Sequence, residues 1–147
     1  MIGYGNTLRG DDGAGPWVAH AIDGLGHGDV RVIARHQLTP ELAADCAIAR
    51  AVIFVDAAVA EAEVTCRIIE PQAAPTGIGH FGSPGELLAL TDAAYGTFPR
   101  AWVVAIPAVA FGYGDELSLE CRKDCERAQQ IVEQILDQIR REGSPDA

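Results

Sequence analysis

Two adjacent aspartates, Asp11 and Asp12, lie in the glycine-rich segment GYGNTLRGDDGAG at residues 3–15. The residues that follow them have apolar side chains at helical spacing, so the two acids precede a predicted helix. A carboxylate at a helix start commonly caps the helix or interacts favourably with its dipole. Carboxylates also bind divalent cations and accept protons during hydrolysis. Both a structural and a chemical role are therefore open for this pair.

A further acid, Asp56, ends the apolar run AVIFV at residues 51–55, which is typical of a buried strand. A carboxylate there is partly desolvated unless it is paired, and such environments occur at functional sites. His80 lies in a glycine-rich loop, where an imidazole can be a metal ligand or simply exposed. Ligand sites of doubly wound sheets lie beyond the carboxyl ends of the strands. We therefore predict that Asp12, Asp56 and His80 meet at that edge and form a divalent-cation site open to an outside ligand.

Several other chemistries are disfavoured by the sequence. The first loop has part of a dinucleotide-binding fingerprint, but Leu8 stands at its third glycine position, and Asp11 and Asp12 would repel a pyrophosphate. No serine lies in a GxSxG motif, no HExxH motif occurs, and no cysteine adjoins a histidine at a predicted helix start. The four cysteines are therefore expected to be structural thiols, and covalent catalysis has no evident nucleophile.

Strand-like and helix-like segments alternate along the chain, a pattern that predicts a mostly parallel sheet covered by helices. We expect an α/β fold, with one three-layer domain over residues 1–147, a twisted sheet of about five strands, and a frayed tail at about 143–147. Beyond a short first strand at Met1 and Ile2, the predicted strands are residues 30–34, 51–55, 64–70 and 101–106. Four helices are predicted. The first follows Asp12, the second begins at Thr39 as N-cap, the third begins at a capping box of Ser83 and Glu86, and the fourth spans about 119–141.

The composition narrows the range of partners. The chain has 147 residues and a formal net charge of -10, and a surface of this charge repels nucleic-acid phosphates and anionic lipids. No apolar run of about 18 residues occurs, and no leader segment with a cleavage site is recognised. We therefore expect a cytoplasmic monomer with neither nucleic-acid nor membrane partners.

Four motifs, taken together and in order, resemble those of a known protease family. They are GYGNTLRGDDGAG at 3–15, HQLTPELA at 36–43, VIFVDAA at 52–58, and His80 followed by SPGELLAL at 83–90. In this combination, which covers most of the chain, the sequence resembles the maturation endopeptidases of nickel-iron hydrogenases. The resemblance implies a twisted sheet between helices. It also implies an enzyme that removes a short C-terminal extension from the hydrogenase large-subunit precursor after nickel has been inserted.

By this resemblance, the nickel is held by the precursor, the enzyme has no permanent metal of its own, and the contacts to nickel fall on Asp12, Asp56 and His80. The chain departs from the family pattern in three places, one of which is a shortened first strand that bears on how Asp12 is held. The first acid is often Glu in the family, and Asp12 is one methylene shorter, so the metal must approach the backbone more closely or be reached through water. The sequence around His80, GIGHFGSPG, is also looser than the family pattern.

Substrate contacts are predicted for Asn6, Asp11, Gln37 and Thr39. Asn6 can alternatively fix the first turn through side-chain hydrogen bonds, and Thr39 can serve only as a helix N-cap. In metal-assisted hydrolysis the metal would polarise the scissile carbonyl or activate a water, with Asp12 or Asp56 as ligand or general base. Two other functions remain open: a non-catalytic adaptor that binds the large-subunit tail or a metal, and a nickel-independent acid endopeptidase such as those that degrade spore proteins.

Overall fold

The described residues, 1–73 and 82–144 of a computed structural model, form a five-stranded sheet with helices on both faces. The strands are β1 (Ile2–Tyr4), β2 (Ile33–Arg35), β3 (Ala51–Ala58), β4 (Thr65–Ile69) and β5 (Arg100–Pro107). The helices are α1 (Ala14–Asp23), α2 (Leu42–Ile48), α3 (Pro84–Tyr95) and α4 (Leu119–Glu142), and a 3-10 helix spans Gly10–Gly13. The predicted α/β fold class is confirmed. None of the helices in the described ranges is both long and apolar enough to cross a bilayer.

The strand order, β2-β1-β3-β5-β4, positions the site. Adjacent strands are parallel except for the edge strand β4, which is antiparallel to β5. The chain passes from β1 to β2 on one side and then crosses to β3 on the other side of β1. A topological switch point therefore lies between the carboxyl ends of β1 and β3, where ligand crevices of such sheets open. We call the edge formed by the carboxyl ends of the parallel strands the carboxyl edge.

Two apolar cores fill the spaces between the sheet and its helix layers. Phe54 and Val55 of β3 are both fully buried, and they belong to different cores because neighbouring strand residues point to opposite faces. Phe54 lies with Leu87 of α3 in the core that also includes α2. Val55 lies with Val18 of α1 and Val132 of α4 in the other core. The central strand is therefore packed on both faces, which fixes its end at the carboxyl edge.

The cysteines belong mainly to these cores. All four are free thiols, and Cys46, Cys121 and Cys125 are buried while Cys66 is exposed. Burial raises the pKa of the Cys46 thiol to about 11, so this group stays protonated at neutral pH. Such an environment fits the expected structural role.

Close packing of α1 against the sheet depends on glycines of the first segment. A side chain at Gly15 would overlap the carbonyl oxygens of Tyr4 in β1 and Val55 in β3. A side chain at Gly3 would in turn overlap the Gly15 carbonyl oxygen. These two glycines therefore serve the protein's own helix–strand packing. They hold the start of α1, and the acids that precede it, against the ends of β1 and β3.

The predicted boundaries of α3 and α4 are confirmed. The Ser83 hydroxyl accepts a hydrogen bond from the Glu86 N–H at 3.2 Å, and the Glu86 carboxylate accepts one from the Ser83 N–H at 3.1 Å. The helix ends at Gly96, whose φ of 70° lies in the left-handed region that glycine adopts readily. α4 ends at Glu142, one residue beyond its predicted end.

Other boundaries differ from the prediction. β1 is found at Ile2–Tyr4 and not at residues 1–2, β2 is found at Ile33–Arg35 and not at residues 30–34, and two further differences bear on the site. The N-cap role of Thr39 is wrong, because α2 begins at Leu42, and the Leu42 N–H donates to the Thr39 carbonyl at 3.1 Å within a preceding turn. That turn satisfies a backbone donor without help from the Thr39 side chain. β3 continues to Ala58, because residues 56–58 pair with residues 105–107 of β5. Asp56 therefore lies inside a paired strand and not in the loop after it.

Candidate active site at the carboxyl edge

Asp12 is held at the carboxyl edge by the tight turn that follows β1. Its side chain is half-buried, and its Oδ2 accepts a hydrogen bond from the Asn6 N–H at 2.8 Å. Within residues 1–73 and 82–144, no donor bonds to its other oxygen, Oδ1. Asp12 thus has one oxygen fixed by the turn and one available to an outside ligand.

The turn itself is stabilised by Asn6 and Gly5. The Asn6 Oδ1 accepts a hydrogen bond from the Leu8 N–H at 2.9 Å, which forms an Asx turn. Gly5 has a φ of 145°, and a side chain there would overlap the Asp12 carbonyl oxygen. The environment of Asn6 favours the alternative in which it fixes the turn. Its contact with substrate stays a prediction.

Asp56 reaches the same edge from β3. The pairing of Gly3 with Val55 brings Tyr4 of β1 beside Asp56 in the neighbouring strand. Burial raises the pKa of the half-buried Asp56 carboxyl to about 6. Hydrogen bonding by the Tyr4 hydroxyl and a backbone N–H lowers this pKa in part, and the negative charge of Asp12 raises it further. The start of α1 packs against β3 at Val55, the residue before Asp56, because a side chain at Gly15 would overlap the Val55 carbonyl oxygen, and the 3-10 helix that carries Asp12 lies close to β3. The structure therefore brings these two predicted residues together.

This pair of carboxylates has definite chemical capabilities. Two neighbouring negative charges attract a cation, and carboxylate oxygens are ligands for divalent metals. A carboxyl group with a pKa of about 6 also gains and loses its proton near neutral pH, which suits a general base. Hydrolysis assisted by a cation is therefore the reaction class that the described residues fit.

Tyr4 is a residue of this site that the sequence analysis does not identify. It is buried at the end of β1, and burial raises the pKa of its phenol, with the negative charge of Asp56 raising it further. The phenol therefore stays neutral, and its hydroxyl interacts with the Asp56 carboxylate, which lowers the pKa of Asp56. The sequence signal is weak: Tyr4 lies between two glycines, and only the strand register places it beside Asp56.

Asp11 has an environment quite unlike that of Asp12. It is fully buried, and its Oδ2 accepts hydrogen bonds from the Val109 N–H at 3.1 Å, the Ala110 N–H at 3.0 Å and the Ser118 hydroxyl at 2.9 Å. Its Oδ1 accepts one from the Ser118 N–H at 2.7 Å. Burial alone would raise the pKa of Asp11, but these hydrogen bonds hold it below its ordinary value. The environment favours a structural role over the predicted substrate contact.

Gln37 and Thr39 lie in the segment that leads from β2 to α2. The segment starts at the carboxyl edge, because the Gly5 N–H donates to the Arg35 carbonyl at 3.0 Å where β1 and β2 end. Gln37 is exposed, and the half-buried Thr39 interacts with the Glu41 carboxylate through a hydrogen bond that lowers the pKa of Glu41. Neither side chain is hydrogen-bonded to the two candidate acids. Their contacts with substrate stay predictions.

His80, the third predicted residue of the site, lies outside the described residues. Within the ranges that are described, no group of three His, Cys, Asp or Glu side chains is arranged to hold a metal ion. The described part of the site thus consists of Asp12 and Asp56, supported by Tyr4. The role of His80 stays a prediction.

Several solved structures resemble this chain over nearly its whole length. The NiFe hydrogenase maturation protease HycI from Thermococcus kodakarensis KOD1 matches with a TM-score of 0.69 and 22% identity, covering 92% of this chain and 90% of that chain. The hydrogenase 2 maturation peptidase from Thaumarchaeota archaeon SCGC_AB-539-E09 matches with a TM-score of 0.66 and 23% identity, covering 92% and 95%. The hydrogenase maturating endopeptidase HybD from E. coli matches with a TM-score of 0.66 and 21% identity, covering 97% and 91%.

No protein-family model and no curated protein matches the sequence. The likeness therefore rests on the three-dimensional arrangement of the chain. In this chain, that arrangement includes the switch point between β1 and β3, beside which the candidate acids lie. This chain has the fold of the hydrogenase maturation proteases.

Proposed function

We propose that this protein is a hydrogenase maturation endopeptidase that removes the C-terminal extension of a nickel-iron hydrogenase large-subunit precursor after nickel insertion. The observation that supports this most strongly is the juxtaposition of Asp12 and Asp56 at the switch point of the sheet. The shared fold with solved proteases of this kind adds support.

In this proposal the nickel ion is part of the substrate. It arrives in the precursor and contacts Asp12, Asp56 and His80, and the enzyme holds no metal or other cofactor of its own. The metal polarises the scissile carbonyl or lowers the pKa of the attacking water. The two carboxylates are in place before the precursor binds, and their negative charge attracts a cation. The site therefore selects precursors that already contain nickel.

The two acids have different environments, and we assign them different roles. Asp12 has one oxygen fixed by the Asn6 N–H, so its free oxygen has a defined position for binding the incoming metal. Asp56 has a pKa of about 6 and can accept a proton from the attacking water near neutral pH. Tyr4 lies beside Asp56 and moderates its pKa, so we assign it a positioning role.

The remaining properties follow from the same proposal. The enzyme acts as a monomer in the cytoplasm, and its partner is the nickel-loaded precursor. It binds neither nucleic acid nor membrane, because a net charge of -10 repels phosphate-rich surfaces.

The test is mass spectrometry of purified precursor, nickel-loaded and nickel-free, before and after incubation with the protein. We expect the loaded precursor to lose the mass of its extension and the nickel-free precursor to stay intact. Asp12→Ala, Asp56→Ala and His80→Ala should each stop cleavage. Asp23→Ala, at an exposed position at the end of α1, is the matched control and should cleave like the wild type.

Each alternative function predicts a different outcome of this test. A non-catalytic adaptor would leave the mass of both precursors unchanged. A nickel-independent endopeptidase would cut both. Cleavage at the wild-type rate by all three alanine variants would refute the site.

A further inference from the structure

Large apolar side chains are exposed on three loops at the carboxyl edge. Leu8 in the first loop is 53% exposed, Val59 after β3 is 76% exposed, and Val109 and Tyr113 after β5 are 74% and 91% exposed. We call these four residues the rim patch. Exposure of this extent leaves most of each side chain in water, where apolar surface is unfavourable unless a partner covers it.

Backbone hydrogen bonds join the loops of the rim patch into one surface. The Gly114 N–H donates to the Leu8 carbonyl at 2.9 Å, which brings Tyr113 beside Leu8. The Ala108 N–H donates to the Ala58 carbonyl at 3.2 Å, which brings Val109 beside Val59. The rim patch therefore consists of two neighbouring pairs, and the hydrogen bond from the Asp11 N–H to the Ala110 carbonyl links the loops of the two pairs.

The buried residue Asp11 links the rim patch to Asp12. The carboxylate of Asp11 accepts hydrogen bonds from the Val109 and Ala110 N–H groups, and Asp11 is the direct neighbour of Asp12. The Asp11 N–H also donates to the Ala110 carbonyl at 2.8 Å. Because these bonds lock the two loops together, the exposed apolar side chains hold a fixed position relative to Asp12. A partner that covers the patch is thereby aligned with the site.

We propose that the rim patch is a docking surface for an apolar patch on the folded part of the hydrogenase large-subunit precursor, a proposal that rests on the proposed function. The patch adjoins the candidate site, and its exposed side chains lie on the loops that follow β1, β3 and β5, where the surface of another protein can cover them. The exposed acids Asp115 and Glu116 border it, so the matching patch on the precursor has basic side chains at its margin. Docking there brings the nickel and the adjoining tail to Asp12 and Asp56.

The proposal separates binding of the folded precursor from chemistry on its tail. Removing apolar side chains from the rim patch should raise KM and leave kcat nearly unchanged, because these side chains touch neither the nickel nor the scissile bond in the proposal. The side chains are so exposed that their replacement should not disturb folding. Tyr113→Ser combined with Val109→Ser is the informative variant, since tyrosines at interfaces commonly contribute strongly to binding.

The experiment measures steady-state cleavage of the nickel-loaded precursor by wild type and variants, with thermal melts to verify folding. For the double variant we expect KM to rise about tenfold or more and kcat to stay within about twofold. The matched control is Tyr95→Ser combined with Ile48→Ser, because both side chains are exposed and end helices at the opposite edge of the sheet. The control should leave KM within about twofold of the wild type.

Other outcomes overturn the docking surface without ambiguity. An unchanged KM in the folded double variant would do so, as would an equal rise of KM in the control. A wild-type dimer that the double variant converts to a monomer would show that a second copy of the chain covers the patch. Failure of the wild type to cleave any precursor would refute the proposed function itself. An unchanged KM in the double variant, with cleavage by the wild type, would refute only the docking surface.

Discussion

Replacing Asp11 by Ala tests the buried carboxylate that joins the first loop to the loop before α4. The substitution removes one side chain and leaves three partly buried backbone N–H groups, those of Val109, Ala110 and Ser118, without their acceptor. The Ser118 hydroxyl also loses its acceptor. A hydrogen bond to a charged group contributes about 1.5–3 kcal/mol, and a buried donor left unsatisfied costs about 1–3 kcal/mol.

These contributions do not add fully, because the loops relax and water enters. We expect a loss of about 3–5 kcal/mol in the free energy of unfolding, which is less than the sum for four hydrogen bonds to a charged group. For a chain of this length the melting temperature should fall by roughly 10–15 °C. Asp11→Asn keeps the shape of the side chain but replaces one acceptor oxygen by an NH2 group that faces donors, so we expect about half of that loss.

The assay is thermal and denaturant-induced unfolding, with Asp92→Asn at an exposed position of α3 as the matched control. The pKa of Asp11 is held below its ordinary value in the folded protein, so its stabilising effect is complete above the pKa of the unfolded chain, about 4, and declines as the pH falls further. The advantage of wild type over Asp11→Asn should therefore shrink in acid. A melting temperature of Asp11→Ala within about 2 °C of the wild type would refute a stabilising role for the hydrogen bonds of the Asp11 carboxylate.

Three further predictions concern Asp56, Tyr4 and Gly15. Because the pKa of Asp56 is raised from 3.8 to about 6, the wild type loses stability as the pH rises between these values. Asp56→Asn should abolish cleavage, yet in denaturant titrations it should be more stable than the wild type by roughly 2 kcal/mol at pH 7 and differ little near pH 3. A stability difference that does not depend on pH would contradict this. Tyr4→Phe removes the hydroxyl that lowers the pKa of Asp56, so the carboxyl resonance of Asp56 in an NMR titration should have its midpoint at higher pH, whereas an unchanged midpoint would speak against the contact. Gly15→Ala should destabilise the fold by about 3 kcal/mol or more, because its methyl group overlaps the Tyr4 and Val55 carbonyl oxygens. The control is Gly28→Ala, whose methyl group meets no atom within 4 Å and should have little effect. Equal melting temperatures of the two variants would contradict the packing of Gly15 against the strands.

Elements with strong local signals could be predicted from the sequence. The capping box at Ser83 and Glu86 and the left-handed glycine at Gly96 define α3, because both depend on residues within one or two helical turns. The apolar run at 51–55 likewise indicates a buried strand wherever the chain places it. The fold class followed from the alternation of such segments, and the positions of Asp12 and Asp56 at the carboxyl edge followed from the fold class.

Features that depend on pairing between distant segments could not be predicted. Asp11 and Asp12 are identical in type and adjacent, and only the hydrogen bonds from the loop at 109–118 to Asp11 distinguish this buried, structural acid from Asp12. Tyr4 joins the site through the register of β1 against β3, which no local pattern specifies. Thr39 has the composition of an N-cap, but the turn before α2 satisfies the backbone by another route.

The central claim is that Asp12 and Asp56 contact the same nickel ion, and anomalous diffraction at the nickel edge tests it most directly. The crystals would contain the inactive His80→Ala variant in complex with the nickel-loaded precursor. The account predicts one anomalous peak at the carboxyl edge, within bonding distance of the free Asp12 oxygen and beside the Asp56 carboxylate. A nickel peak in the complex that is remote from both carboxylates would contradict it.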